Sequence, residues 1–98
     1  LDRLTKSAFN LLGMETFFTA GEKEIKSWPI KKNTFAVNAA GEIHSDIQRG
    51  FIKADIYSLE DLIKYESEDS LKSNGKIRQE GKNYIVQDGD IIFFRFNV

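Results

Sequence analysis

In the first twelve positions apolar residues fall at Leu1, Leu4, Ala8, Leu11 and Leu12, the three-and-four spacing of a helical stripe, and Gly13 follows where a left-handed C-cap would close it. The spacing predicts a helix over 1–12 that buries one face. Glu15 to Ala20 (ETFFTA) reads as a short strand, Gly21-Glu22 as a turn, and Glu24 to Ile30 (EIKSWPI) as its hairpin partner. Ile25 and Trp28 fall on opposite faces under strict alternation, so a bulge is expected near Ser27. Pro29 has no N–H for a ladder and belongs at an edge or at the strand's exit. After the polar turn Lys31 to Thr34, the spacing of Val37, Ala40, Ile43 and Ile47 predicts a short helix over Phe35 to Asp46. Gly41 weakens that helix by about 1 kcal/mol relative to Ala, unless something packs closely against it.

Phe51 to Tyr57 (FIKADIY) alternates, with Ile52, Ala54 and Ile56 on one face, and is expected to be a strand with one apolar side. Ser58 is placed as the N-cap of a helix reaching Tyr65 that buries Leu59, Leu62 and Ile63, with Asp61 three residues on. The acidic run Glu66 to Asp69 leads through Asn74-Gly75, Ile77, Glu80-Gly81-Lys82 and Tyr84-Ile85-Val86, which predict two small hairpins. Asp88-Gly89-Asp90 is a turn that feeds a last strand, with Ile92, Phe94, Phe96 and Val98 on one face and Ile91, Phe93, Arg95 and Asn97 on the other. Both faces start apolar, so this strand requires cover on two sides and a central place in its sheet. A hairpin, a crossing helix and a late two-faced strand combine most economically as an α+β mixed sheet gripping one helix, the β-grasp or ubiquitin-like architecture.

Composition narrows the function more than the fold. The 98 residues make one domain, with 41% hydrophobic and 30% charged residues, as in an ordinary globular protein. No apolar run approaches the roughly 20 residues of a spanning helix, so no membrane partner is expected. Zero cysteines exclude disulfides, thiolate metal sites and a Cys nucleophile. The sequence holds neither a G-x-x-x-x-G-K-S/T loop nor G-x-G-x-x-G. His44 is the single histidine and has no second ligand at metal spacing. Its neighbours Ser45 and Asp46 adjoin it in sequence, which is not triad geometry, so it reads as a local hydrogen-bonding residue or a partner contact. Asp88 and Asp90 read as turn caps rather than an acid/base pair. No catalytic constellation or metal site is expected.

What remains is binding. The net charge is −1, so no whole-molecule field draws nucleic acid, but the distribution is uneven. Lys23, Lys26, Lys31 and Lys32 surround the predicted hairpin with Trp28 among them, and Arg49, Lys53 and Arg95 add cations near strand ends. Cations interleaved with an aromatic suit phosphate and base contact, although Trp28 equally suits a core. For a protein interface the candidates are Phe17, Ile91 and Phe93, whose sheet face needs cover, together with His44.

Several motifs fall in family order: Leu11-Leu12-Gly13, Phe17-Phe18-Thr19-Ala20-Gly21, Trp28, Ala39-Ala40-Gly41 with Ile43-His44-Ser45-Asp46, Gly50-Phe51-Ile52 with Ala54, Glu80-Gly81-Lys82, and Gln87-Asp88-Gly89-Asp90 with Phe94-Arg95-Phe96-Asn97-Val98. Over nearly its whole length the chain resembles the C-terminal TGS domain of the YchF family of ribosome-binding ATPases and GTPases, relatives of the Obg GTPases. The resemblance implies a β-grasp TGS domain over 14–98, with 1–13 a helix leading in from an NTPase domain. It implies that Val98 is the natural C-terminus and Leu1 a cut end. It also implies a parent that hydrolyses ATP or GTP with Mg in a P-loop domain outside this sequence, leaving these residues without cofactor or catalysis. The expected partners are the ribosome or RNA and the parent's own NTPase domain, for a cytoplasmic monomer.

Overall fold

The computed structural model describes residues 13–20 and 24–97. The helix expected over 1–12, the Gly21-Glu22 turn, Lys23 and Val98 lie outside the described residues. In chain order the elements are β1 (Met14–Ala20), β2 (Ile25–Lys31), α1 (Ala36–Ile43), α2 (Ser45–Arg49), β3 (Phe51–Ser58), α3 (Leu59–Tyr65), α4 (Glu68–Ser73), β4 (Arg78–Glu80) and β5 (Asp90–Phe96). The strands form one sheet in the order β2-β1-β5-β3-β4, with β1 and β5 parallel and the other neighbours antiparallel. A hairpin, a helix crossing over, and the last strand returning beside the first make this a β-grasp.

β5 sits at the centre, as its two apolar faces require. One face carries Ile92 and Phe94 into the main core, where Ala36, Ala39 and Ala40 of α1 pack on Phe17, Ala54 and Ile56. Alanine on the buried face of α1 lets the helix backbone approach the sheet closely, and aromatic rings fill the space between. Phe94 meets Phe17 and Phe51 edge-on, with each pair of ring centroids 6.1 Å apart. The other face carries Ile91 against Tyr57 and Leu71, with Phe18, Leu59, Leu62, Tyr65 and Ile77 around them. Over Ile91 the cover for the second face comes from α3 and α4, while Phe93 further along the same face stays exposed. Leu71 is fully buried, which makes α4, a helix the sequence pattern does not predict, part of a second layer.

The structure departs from the sequence pattern at definite places. No bulge occurs at Ser27: β1 and β2 pair in unbroken register from Met14↔Lys31 to Ala20↔Ile25, and Ile25 stays half-exposed on the face away from α1. β2 is an edge strand, which accommodates Pro29. The irregularity lies instead between Phe51 and Lys53, where β3 shifts register against β5, turning Phe51 into the core and leaving Ile52 exposed. The helix expected over Phe35 to Asp46 ends at Ile43, and His44, with extended backbone, starts α2. Its Nδ1 accepts a hydrogen bond from the Asp46 N–H at 3.0 Å, so the histidine is a helix N-cap. The two hairpins expected after Asn74 do not form. β4 pairs with β3, and Ile85 instead bridges Phe35. Ser58 caps α3 as its spacing predicts, its Oγ accepting from the Asp61 N–H at 3.0 Å, and Leu59 and Leu62 pack inward, but Ile63, expected on the buried face, is 71% exposed. No described helix is long and apolar enough to cross a membrane.

Candidate functional site

The expected basic hairpin does not present a single surface. Lys26, Trp28 and Ile30 alternate onto the α1 side of β2, whereas Lys31 points to the opposite side. Lys26 lies 3.8 Å from Glu24. Lys32 is exposed, and its backbone N–H donates to the Gly13 carbonyl. Its charge is near Glu15, a half-buried carboxyl held above its ordinary range by burial first and by Asp88, with Lys32 opposing and Asp90 adding. Trp28 is half-buried, stacked on Phe17 with centroids 6.5 Å apart, and its indole N–H donates to Thr19 Oγ1 at 3.0 Å. Both of its chemical features are engaged within the fold, and the ring packs against the edge of the core.

The cations of β3 and β5 do meet. Antiparallel register sets Lys53 opposite Arg95 and Asp55 opposite Phe93, all on the face away from α1. Arg95 Nε and Nη2 both reach Asp55 Oδ2 at 2.8 Å, and the guanidinium lies over the Phe93 ring, 5.7 Å from its centroid. Among the described residues, Lys53 Nζ donates to a neutral group alone, Gln79 Oε1, at 3.3 Å. Arg49, by contrast, is bound to Asp46 at 2.6 Å beside His44 and does not join this group.

Of the four residues expected at a protein interface, two are unavailable on this domain. Phe17 is 0% exposed and Ile91 1%, because α1 and the α3–α4 layer cover them. Phe93 stays open at 59%, and His44 is exposed at the junction of α1 and α2. Phe93 has company that strand alternation alone does not reveal. Ile25 is half-exposed next to Ala20, and Ile52 and Phe96 are exposed at the exit end of β5. Ile52 escapes a sequence reading because the register shift after Phe51 reverses its expected inward face.

Two shallow clefts flank Phe93. The first runs toward α4 over Ile91 and Ile77 and is bordered by Asp55, Arg95 and the Tyr57–Glu68 pair. There the Tyr57 hydroxyl donates to Glu68 Oε1 at 2.8 Å, and burial foremost, with Glu68 adding, raises its pKa well above the ordinary tyrosine value. The second, of about 490 Å³, wraps the end of β5 and is lined by Ile52, Lys53, Phe93, Phe94, Arg95 and Phe96. Among the described residues, no acid lines it. The first cleft is mixed in charge and the second is basic and aromatic. Among the described residues, neither brings together a nucleophile with a base.

Comparison with known proteins agrees with this fold. The family model YchF-GTPase_C, described as a protein of unknown function (DUF933), matches residues 14–97. The Bacillus subtilis (strain 168) protein "Ribosome-binding ATPase YchF" is 52% identical over 98 residues, which are 100% of this chain and 27% of that protein. Human "Obg-like ATPase 1" is 50% identical over 97 residues, 99% of this chain and 24% of its own length. Among solved structures, that of the Schizosaccharomyces pombe YchF GTPase superposes with a TM-score of 0.86 at 36% identity, over 97% of this chain and 25% of that one. A GTP-binding protein from Pyrococcus horikoshii OT3, at 18% identity and a TM-score of 0.63, shares the fold. The chain spans about a quarter of the length of these relatives. With the model matched across all but the first residues and the last, the chain belongs to the YchF-GTPase_C family, the C-terminal domain of YchF-type NTPases.

Proposed function

We propose that this domain is a non-catalytic module through which a longer, translation-associated NTPase contacts the ribosome. Nucleotide hydrolysis is placed outside these residues, because the sequence has no phosphate-binding loop. One observation carries the reading beyond the relative's name. Lys53, Arg95 and an open Phe93 share one sheet face, so the cations scattered along the sequence become a local surface at β3 and β5. Lys53 is its free charge, since Arg95 is shared with Asp55. Lys23, Lys26, Lys31, Lys32 and Arg49 then play a smaller part or none.

The test is co-sedimentation of the full-length protein with ribosomes. Lys53→Glu is expected to weaken binding several-fold, and Lys26→Glu, on the other side of the hairpin, to leave it near wild type. Equal losses for both variants would sink the assignment of this face. A second reading is favoured by the half-exposed Phe93 and Ile25, an apolar pair that suits docking on the parent's NTPase domain. In that case Phe93→Asp changes NTP turnover by the full-length protein without ribosomes present, whereas ribosome contact alone leaves that basal rate unaltered.

A further inference from the structure

We infer that the groove between α4 and the sheet seats an extended protein segment in which a lysine or arginine adjoins an apolar side chain. This contact is separate from the ribosome reading above and lies on the acidic side of Phe93, toward α4. What points to it is a carboxylate fixed beside apolar side chains without a cation of its own.

Glu68 opens α4, and the Tyr57 hydroxyl on β3 donates to its Oε1 at 2.8 Å. That bond holds an exposed carboxylate in the cleft that Ile77 and Ile91 also line. A side chain already held in one position loses little further freedom when a partner binds it. Among the described residues, neither Glu68 nor its neighbour Asp69 is in an ion pair. Arg95 lines the same groove, but both its Nε and its Nη2 are spent on Asp55 Oδ2. With Arg95 engaged, the groove offers Glu68 and Asp69 against Lys72. Its surplus is negative, so the matching partner carries positive charge, and phosphate is repelled.

The shape selects a chain over a small molecule. The cleft of about 490 Å³ that holds Ala20, Ile91 and Phe93 continues into one of about 730 Å³ bordered by Asp69, Lys72 and Gln79. The two share Asp55, Glu68, Ile77 and Arg95, so they form one groove. Its lining reaches from β1 to β4, three strand spacings or about 14 Å, which an extended chain covers in about four to five residues. Small-molecule sites enclose most of their ligand's surface, whereas this groove is half-open. A lysine or arginine fits its mixed lining, with the methylene stem on Ile77 and the charged head at Glu68 or Asp69. The adjoining apolar side chain reaches Phe93, which is 59% exposed even with the Arg95 guanidinium over its ring.

The experiment pans a random nonapeptide phage library on the full-length protein and then measures the most frequent sequence as a fluorescein-labelled peptide by anisotropy. Retained sequences are expected to place Lys or Arg within two positions of Leu, Ile or Phe. Asp69→Lys is expected to weaken the peptide about five-fold, the scale of one partly exposed ion pair. The same variant should prefer an analogue whose cation is changed to Glu, a reversal that simple loss of structure does not produce. Gln79→Lys alters the groove from β4 without touching α4, and should weaken the basic peptide as well. Both positions are exposed, so the variants are compatible with folding, which circular dichroism verifies. The inference is overturned if the retained sequences show no such basic enrichment, or if the Glu analogue binds wild type as well as the basic peptide does. Binding unchanged in both variants overturns it too. So does displacement of the peptide by a single-stranded RNA 12-mer, which would make the groove a nucleic-acid surface.

Discussion

At the scale of single residues, the tightest constraint is Gly50. It follows α2, and a Cβ there would collide with the Asn97 carbonyl, which belongs to the end of β5 and cannot move cheaply. The same two residues are tied by a hydrogen bond from the Asn97 N–H to the Gly50 carbonyl at 2.9 Å. Gly50→Ala is therefore expected to cost about 1–3 kcal/mol, the usual range for overpacking. Gly81→Ala, where a Cβ meets nothing within 4 Å, should stay within about 0.5 kcal/mol. Urea denaturation of the domain compares the two. Gly41 is intermediate: the atom nearest its missing Cβ is the flexible Gln48 side chain, and this is the close packing that justifies a glycine inside α1. Glu15 offers a test by pH. Its folded pKa is raised above the ordinary glutamate value of 4.5, so its protonated form is the one favoured by folding. That contribution is fully present below 4.5 and is lost as pH rises through the folded value. Between pH 4 and pH 7 the wild type should therefore lose stability relative to Glu15→Gln, and equal pH profiles would contradict the assignment.

At the scale of elements, the least legible part of the chain, 66–76, proves to be structural. The sequence pattern reads the acidic run Glu66 to Asp69 and Asn74-Gly75 as the lead into two small hairpins, with no helix between them. Yet Ser67 caps α4, its Oγ accepting from the Ser70 N–H at 3.1 Å, and the single apolar residue Leu71 is fully buried against Ile91 and Tyr57. One buried residue in a six-residue helix leaves too little periodicity for a sequence pattern to register. Leu71→Ala should cost about 2–5 kcal/mol through the cavity left behind. Its effect should be local as well: hydrogen exchange is expected to speed up over 66–76 more than in β1 or β3, because α1 still clamps the opposite face. Uniform acceleration would mean that the two layers unfold as one. Other features were legible because they depend on local chemistry. The two-faced β5, the edge placement of Pro29 and the Ser58 cap follow from alternation, a missing N–H and a side-chain acceptor. The break at His44 and the shift after Phe51 were not legible, since each is decided by tertiary partners. The same holds for the site. Lys53 and Arg95 meet only through register, and Arg95 finds Asp55 across 40 positions of sequence.

At the scale of the whole molecule, a net charge of −1 means that any attraction to RNA must be local. This gives the salt dependence of binding a definite form. A strongly basic protein releases many counterions and loses affinity steeply with salt, whereas a surface holding two cations contributes few. Each phosphate contact on a single strand adds about 0.7 to the slope of log K against log salt. For the full-length protein, removing Lys53 by Lys53→Ala should therefore lower the magnitude of that slope by about 0.7, whatever the rest of the protein contributes. Lys26→Ala changes the net charge by the same amount from a site beside Glu24, and should leave the slope unchanged. If both variants lower the slope equally, diffuse charge governs the attraction. If only Lys53 does, the contact is made where β3 and β5 bring that lysine to the rim of the Phe93 cleft.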